Sequence, residues 1–228
     1  MITLRKLASV PRFTVLGALL ACTLSVGAAR ADVTVTVDPA VITNGFMNVF
    51  NLPVNGGAFQ FGSGWGIADL TASYTGNVVT LGPNVIGDPN PYWYIGGGGP
   101  GSPGNKIMEA NLYAEPAGSL PGQNVTFVGN VLSNTLTSAH KVVAFIKDFA
   151  PDFSSFNITT VVLPTSGSFS ISLATVNDPA RHVQWGFQMT GPCVWVTDVA
   201  PFGSVSIGPT GATPTQRTSW GTIKSLYR

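Results

Sequence analysis

RHVQWGFQM, residues 181–189, decides the fold class, because it alternates between Val183, Trp185, Phe187 and Met189 on one side and His182, Gln184 and Gln188 on the other. Successive side chains of a strand point to opposite faces, so this segment belongs in a sheet with one face on a core and one face open. Two further segments repeat the pattern. Residues 106–115 set Met108, Ala110 and Leu112 against Glu109, Asn111, Tyr113 and Glu115, and residues 168–175 set Phe169, Ile171 and Leu173 against Ser168, Ser170 and Ser172.

Outward from these three segments, shorter runs recur in both directions, beginning with the strict alternation of VTVTV at 33–37. Others lie at 46–50, 58–61, 70–74, 78–81, 124–132, 141–149, 157–163, 194–199 and 204–207, divided by Asn-Gly, Gly-Gly and Gly-Asn turn signals. Helical periodicity is almost absent. About twelve short strands predict an all-β fold, a two-sheet antiparallel sandwich of the jelly-roll kind, over residues 32–207.

Residues 83–105 (PNVIGDPNPYWYIGGGGPGSPGN) interrupt the pattern with glycines and prolines that cannot continue a ladder. They predict a long surface loop carrying Tyr92, Trp93 and Tyr94 at its middle. A second Gly-rich stretch, residues 61–66, holds Trp65. The last 21 residues, 208–228, read as a linker followed by a short tail in which Trp220, Ile223 and Leu226 or Tyr227 share one helical face.

The first 31 residues have the zones of an export signal: Arg5, Lys6 and Arg12, an uncharged run from 13 to 28, and Ala29-Arg30-Ala31 as a cleavage site. The expected product is secreted, extracellular or periplasmic, with no transmembrane segment. Leu19-Leu20-Ala21-Cys22 offers a second route, lipoprotein anchoring at Cys22. Removing 31 of 228 residues leaves 197 residues, with seven of the eleven basic residues against all ten acids, a net charge of −3. Seven scattered cations supply no basic stripe for a polyphosphate backbone, so nucleic acid is not expected as a partner. Cys193 then stands alone, which excludes an intrachain disulfide.

Chemistry narrows to the polar strand faces and the aromatic loops. Carboxylates, amides, an imidazole and a phenol supply the paired donors and acceptors that sugar hydroxyls require, and aromatic rings cover the apolar face of a pyranose. The ligand-binding candidates are Trp93, Tyr92, Tyr94, Trp65, Glu109, Asn111, Tyr113, His182, Gln184 and Gln188. Catalysis is not expected. The best carboxylate pair, Glu109 with Glu115 or Asp198, fails for Glu109 and Glu115 because six residues of strand span about 20 Å, too far for paired glycosidic carboxylates. The two histidines have no metal-ligand spacing and no nucleophile elbow occurs. No cofactor is expected beyond a structural calcium ion drawn to Asp69, Asp88, Asp148, Asp152 or Asp198.

With Asn44-Gly45-Phe46 near the start, Gly64-Trp65 soon after and Trp185-Gly186-Phe187 in a late strand, the chain resembles the galactose-binding-like jelly rolls that serve bacterial secreted enzymes as carbohydrate-binding modules. The resemblance covers about residues 33–207. It implies a noncatalytic protein whose partner is polysaccharide or glycoconjugate, and it assigns no binding residue of its own. The chain is longer than a typical module, and the loop at 83–105 is not part of that pattern. The competing expectation is an extracellular structural or surface-matrix protein that self-associates.

Overall fold

Alternation at period two is realised along most of the chain. The computed structural model describes residues 30–211, and its regular elements are twelve β-strands and two short 3-10 turns, Pro53–Asn55 and Ala200–Phe202. The strands are β1 (Asp32–Thr36), β2 (Asn44–Asn51), β3 (Phe59–Gly64), β4 (Ala72–Thr75), β5 (Val78–Leu81) and β6 (Lys106–Ala114), then β7 (Asn124–Asn134), β8 (Lys141–Phe149), β9 (Phe156–Val162), β10 (Gly167–Ala174), β11 (His182–Pro192) and β12 (Val205–Gly208). Residues 1–29 of the expected export signal and the aromatic tail at 219–228 lie outside the described residues. No described helix is long and apolar enough to cross a membrane.

Two sheets face each other, and the fold is an all-β sandwich as the alternation predicts. One sheet runs β1-β7-β12-β5-β4 with β10 paired to β7, and the other runs β3-β2-β6-β11-β8-β9. Nearly every pairing is antiparallel. The exception is β1, which lies parallel to β7 and shares one edge of that long strand with β12.

Inward-facing residues of both sheets form one core. Phe127 of β7, Phe169 of β10 and Phe187 of β11 meet with ring centroids 5.2 to 6.1 Å apart, joining the two sheets. Val183, Trp185, Phe187 and Met189 of β11, and Met108, Ala110 and Leu112 of β6, are all buried in it. Each fully buried large apolar side chain contributes about 1.5–3 kcal/mol relative to exposure. At one end Asp148, wholly buried, accepts Arg181 Nε at 2.7 Å and the Val176 amide at 2.8 Å, tying the β10–β11 connection to β8.

Two readings of the sequence need correction. Residues 194–199 do not form a strand: Val194 makes an isolated parallel bridge to Val85, and the chain then turns, with the Asp198 amide bonded to the Trp195 carbonyl. Trp195 packs edge-on against Tyr94, at 5.4 Å, and this contact takes the place of a ladder. Residues 83–105 form the expected long loop, with no strand between β5 and β6, but Tyr94 at its middle does not stay at the surface. Tyr94 is fully buried there, and its hydroxyl donates to the carbonyl of Ile86 at 2.5 Å or Val194 at 2.9 Å. Burial pushes that phenol's pKa up to about 12. Gly98 lets the loop come close, since a Cβ there would lie 2.5 Å from the Trp195 ring and 2.6 Å from Pro89 Cα.

Candidate functional site

Residues paired across a sheet share a face, so the registers of β2, β6, β11 and β8 assemble the open side of the second sheet directly. Phe46 pairs Asn111 and Asn48 pairs Glu109; Asn111 pairs Gln188 and Tyr113 pairs Gly186; Gln184 pairs Lys147 and His182 pairs Phe149. On this face lies a groove of about 450 Å³ lined by Phe46, Asn48, Glu109, Asn111, Tyr113, Glu115, Lys147, Phe149, Phe153, Phe156 and Gln184. It contains Glu109 and Glu115 together, so it follows β6 for roughly 20 Å.

Gly186 shapes the floor. A Cβ at this position would sit 2.1 Å from the Leu112 carbonyl oxygen and 2.7 Å from Tyr113 Cα, so only glycine fits between the strands. The face has no side chain there, and Lys147 of β8 crosses β11 to reach β6. Its ammonium donates to Asn111 Oδ1 at 2.8 Å and Gln188 Oε1 at 3.5 Å and stands 4.3 Å from the centre of the Phe145 ring. Lys147 is buried, and desolvation holds its pKa below the ordinary lysine value, partly offset by the charge of Glu109.

Hydrogen bonds fix the remaining polar groups. Asn48 Nδ2 donates to Glu109 Oε1 at 2.9 Å, and Asn111 Nδ2 donates to the Glu109 carbonyl at 3.1 Å. At the other end Glu115 is held by His182 Nδ1 and Gln184 Nε2, each at 2.7 Å. Tyr113 is half-buried, and its hydroxyl has no hydrogen-bond partner among the described residues; burial and the nearby Glu115 raise its pKa.

Aromatic rings wall that same end. Phe149 lies 5.5 Å from Phe153 and 5.0 Å from Phe156, and Phe153 stacks on the His182 ring at 4.2 Å and 22°. Phe153 adopts a left-handed backbone with φ of 58°, which costs a non-glycine residue of order 1–3 kcal/mol. Asp152 holds this turn, accepting the Ser154 amide at 3.1 Å and its hydroxyl at 2.6 Å. Those bonds also lower the Asp152 pKa. The ring remains half exposed despite the strain in its backbone.

The ten sequence candidates separate into three places. Glu109, Asn111, Tyr113 and Gln184 line the groove, while His182 and Gln188 support it through Glu115 and Lys147. Tyr92 and Trp93 lie across the second sheet from it: Trp93 packs on Phe61, whose pairing with Val49 puts it on the core side, and Lys106 sits 4.2 Å above the Tyr92 ring. Tyr94, wholly enclosed, offers no platform to a ligand. Trp65 borders a separate cleft of about 650 Å³ with Asp69 and Asp88, its indole N–H donating to Ser63 Oγ at 2.8 Å.

The sequence reading missed Phe46, Asn48, Lys147, Phe149, Phe153 and Phe156. No alternation marked Lys147, because Val143 and Phe145 on its face of β8 are as apolar as Val142, Ala144 and Ile146 on the other. Of the aspartates considered for calcium, Asp148 is ion-paired with Arg181 and Asp198 accepts the Gly101 amide at 2.6 Å. No group of three or more His, Cys, Asp or Glu among the described residues is arranged to hold a metal ion.

Comparisons with protein-family models, curated proteins and solved structures each find no counterpart for the chain. The groove's own chemistry therefore carries the functional reading.

Proposed function

We propose that the chain is exported and acts outside the cytoplasm as a noncatalytic binder of polysaccharide or glycoconjugate, held in the groove on the second sheet. One observation carries this reading. The groove joins amide and carboxylate groups at Asn48, Glu109, Gln184 and Glu115 to rings at Phe46, Phe149, Phe153 and Phe156 along one open trough. Sugars need both, since their hydroxyls take paired hydrogen bonds while their C–H faces pack on aromatic surface. The roughly 20 Å reach along β6 suits several sugar units rather than one.

A glycan array followed by titration calorimetry on the strongest hit tests the reading. Tyr113→Phe removes a hydroxyl with no partner in the described structure, so affinity should fall about fivefold to tenfold, the value of one hydrogen bond, with stability unchanged. An array silent toward every glycan sinks the proposal.

One observation favours a second reading, self-association in a surface matrix. The strand β9 is a sheet edge whose open face exposes Phe156, Ile158 and Val162 at 51%, 44% and 55%. Apolar edges of this kind template pairing with another chain. Concentration-dependent assembly abolished by Ile158→Lys, together with a silent array, would favour it over sugar binding.

A further inference from the structure

The groove presents its negative charge to a ligand more openly than its positive charge, because Lys147 is buried and Glu109 has no ion-pair partner among the described residues. Each side-chain nitrogen makes at least one bond within the protein. Lys147 serves Asn111 and Gln188; Asn111 Nδ2 serves the Phe46 and Glu109 carbonyls; Asn48 Nδ2 serves Glu109; Gln184 Nε2 and His182 Nδ1 serve Glu115. Among the described residues, Glu109 Oε2, Asn48 Oδ1 and Gln184 Oε1 make no hydrogen bond. Asn48 Nδ2 and Gln184 Nε2 each keep a second N–H, and the Tyr113 hydroxyl can donate or accept, so the face offers hydrogen bonds of both kinds and charge is what discriminates between ligands.

Glu109 forms no ion pair among the described residues, although Lys147 is close enough for the two charges to interact. Lys147 turns its charge toward amide oxygens and the Phe145 ring, leaving a ligand to meet the carboxylate first. Glu115 is offset only when His182 is protonated.

Resting on the glycan reading above, we infer that the groove selects a glycan bearing free ammonium groups, a de-N-acetylated amino-sugar chain, which donates to Glu109 and to the uncommitted amide oxygens. An N-acetylated chain lacks the charge, and a uronate chain carries the opposite one. Hydrogen bonds to charged groups are stronger than those between neutral pairs, so a preference of about tenfold is expected from a single ammonium seated on Glu109.

The test is calorimetric titration of the purified protein with three hexasaccharides: glucosamine, N-acetylglucosamine and galacturonate. The expected result is binding of the glucosamine hexamer, about tenfold weaker binding of the acetylated one, and none of the uronate. Glu109→Gln should remove the preference while retaining binding at the acetylated level, and added salt should weaken the glucosamine complex most. Equal affinity for the first two hexamers, or a preference that survives Glu109→Gln, overturns this inference while leaving glycan binding intact. Absence of binding to these hexamers and to every glycan on the array overturns the underlying reading instead.

Discussion

Residues 83–105 and the groove on the second sheet are both rich in aromatic and polar side chains, yet they spend them in opposite ways. In the loop Tyr94 is enclosed, its hydroxyl faces two backbone carbonyls, and Trp93 and Trp195 brace it against the core. In the groove Phe153 and Phe156 stay half exposed, Phe153 at a strained backbone position, and the Tyr113 hydroxyl has no described partner. The contrast separates packing from display. A ring whose polar tip is satisfied inside the protein stabilises the fold, whereas a ring held open beside unspent acceptors is available to a ligand.

The largest expected effect tests the loop. Tyr94→Ala should cost about 3–5 kcal/mol in denaturant unfolding, as large aromatic truncations in cores do, while ligand affinity measured on the folded fraction stays unchanged. A variant of normal stability with lost affinity would reverse the comparison and return the loop to the binding surface. Gly186→Ala comes next, at about 1–3 kcal/mol for overpacking against the Leu112 carbonyl. It should also disturb the groove, because parting β11 from β6 moves Tyr113 and breaks the reach of Lys147 to Asn111. Loss of stability with affinity untouched would show that the floor does not position the site.

How much of this the sequence carried depends on the range of the interaction. Period-two alternation in residues 106–115 and 181–189 placed Glu109, Asn111, Tyr113, His182, Gln184 and Gln188 on one face, and register then brought them together. Face is a local property of a strand. The fate of Tyr92, Trp93 and Tyr94 was not local, since glycine and proline announce a departure from the ladder but not the direction in which it packs. Tyr94 is buried through Val194, one hundred residues away. Phe153 and Phe156 were equally hidden, because a tight turn after β8, not any periodicity, brings Phe153 over His182 and Phe156 against Phe149. The run at 194–199 looked like a strand by composition, and the competing contact of Trp195 with Tyr94 overrode it.

Lys147 offers the finest test of how the groove differs from the loop, because it is a charge buried for position and not for packing. Desolvation lowers its pKa below the ordinary lysine value of 10.5, which the unfolded chain keeps. Between the two values the unfolded state binds more protons, so stability rises with pH there; below the folded value both states are protonated and the burial cost is borne in full. Replacing Lys147 with Met removes this titration and leaves the other groups of the chain in place. The unfolding free energy of the wild type relative to Lys147→Met should therefore climb across the alkaline window just below 10.5 and stay flat at neutral pH. Urea denaturation of both proteins at neutral and alkaline pH measures the difference. A flat difference throughout would mean that the ammonium is as well solvated as in the unfolded chain, and Lys147 would then belong to the groove's rim and not its floor.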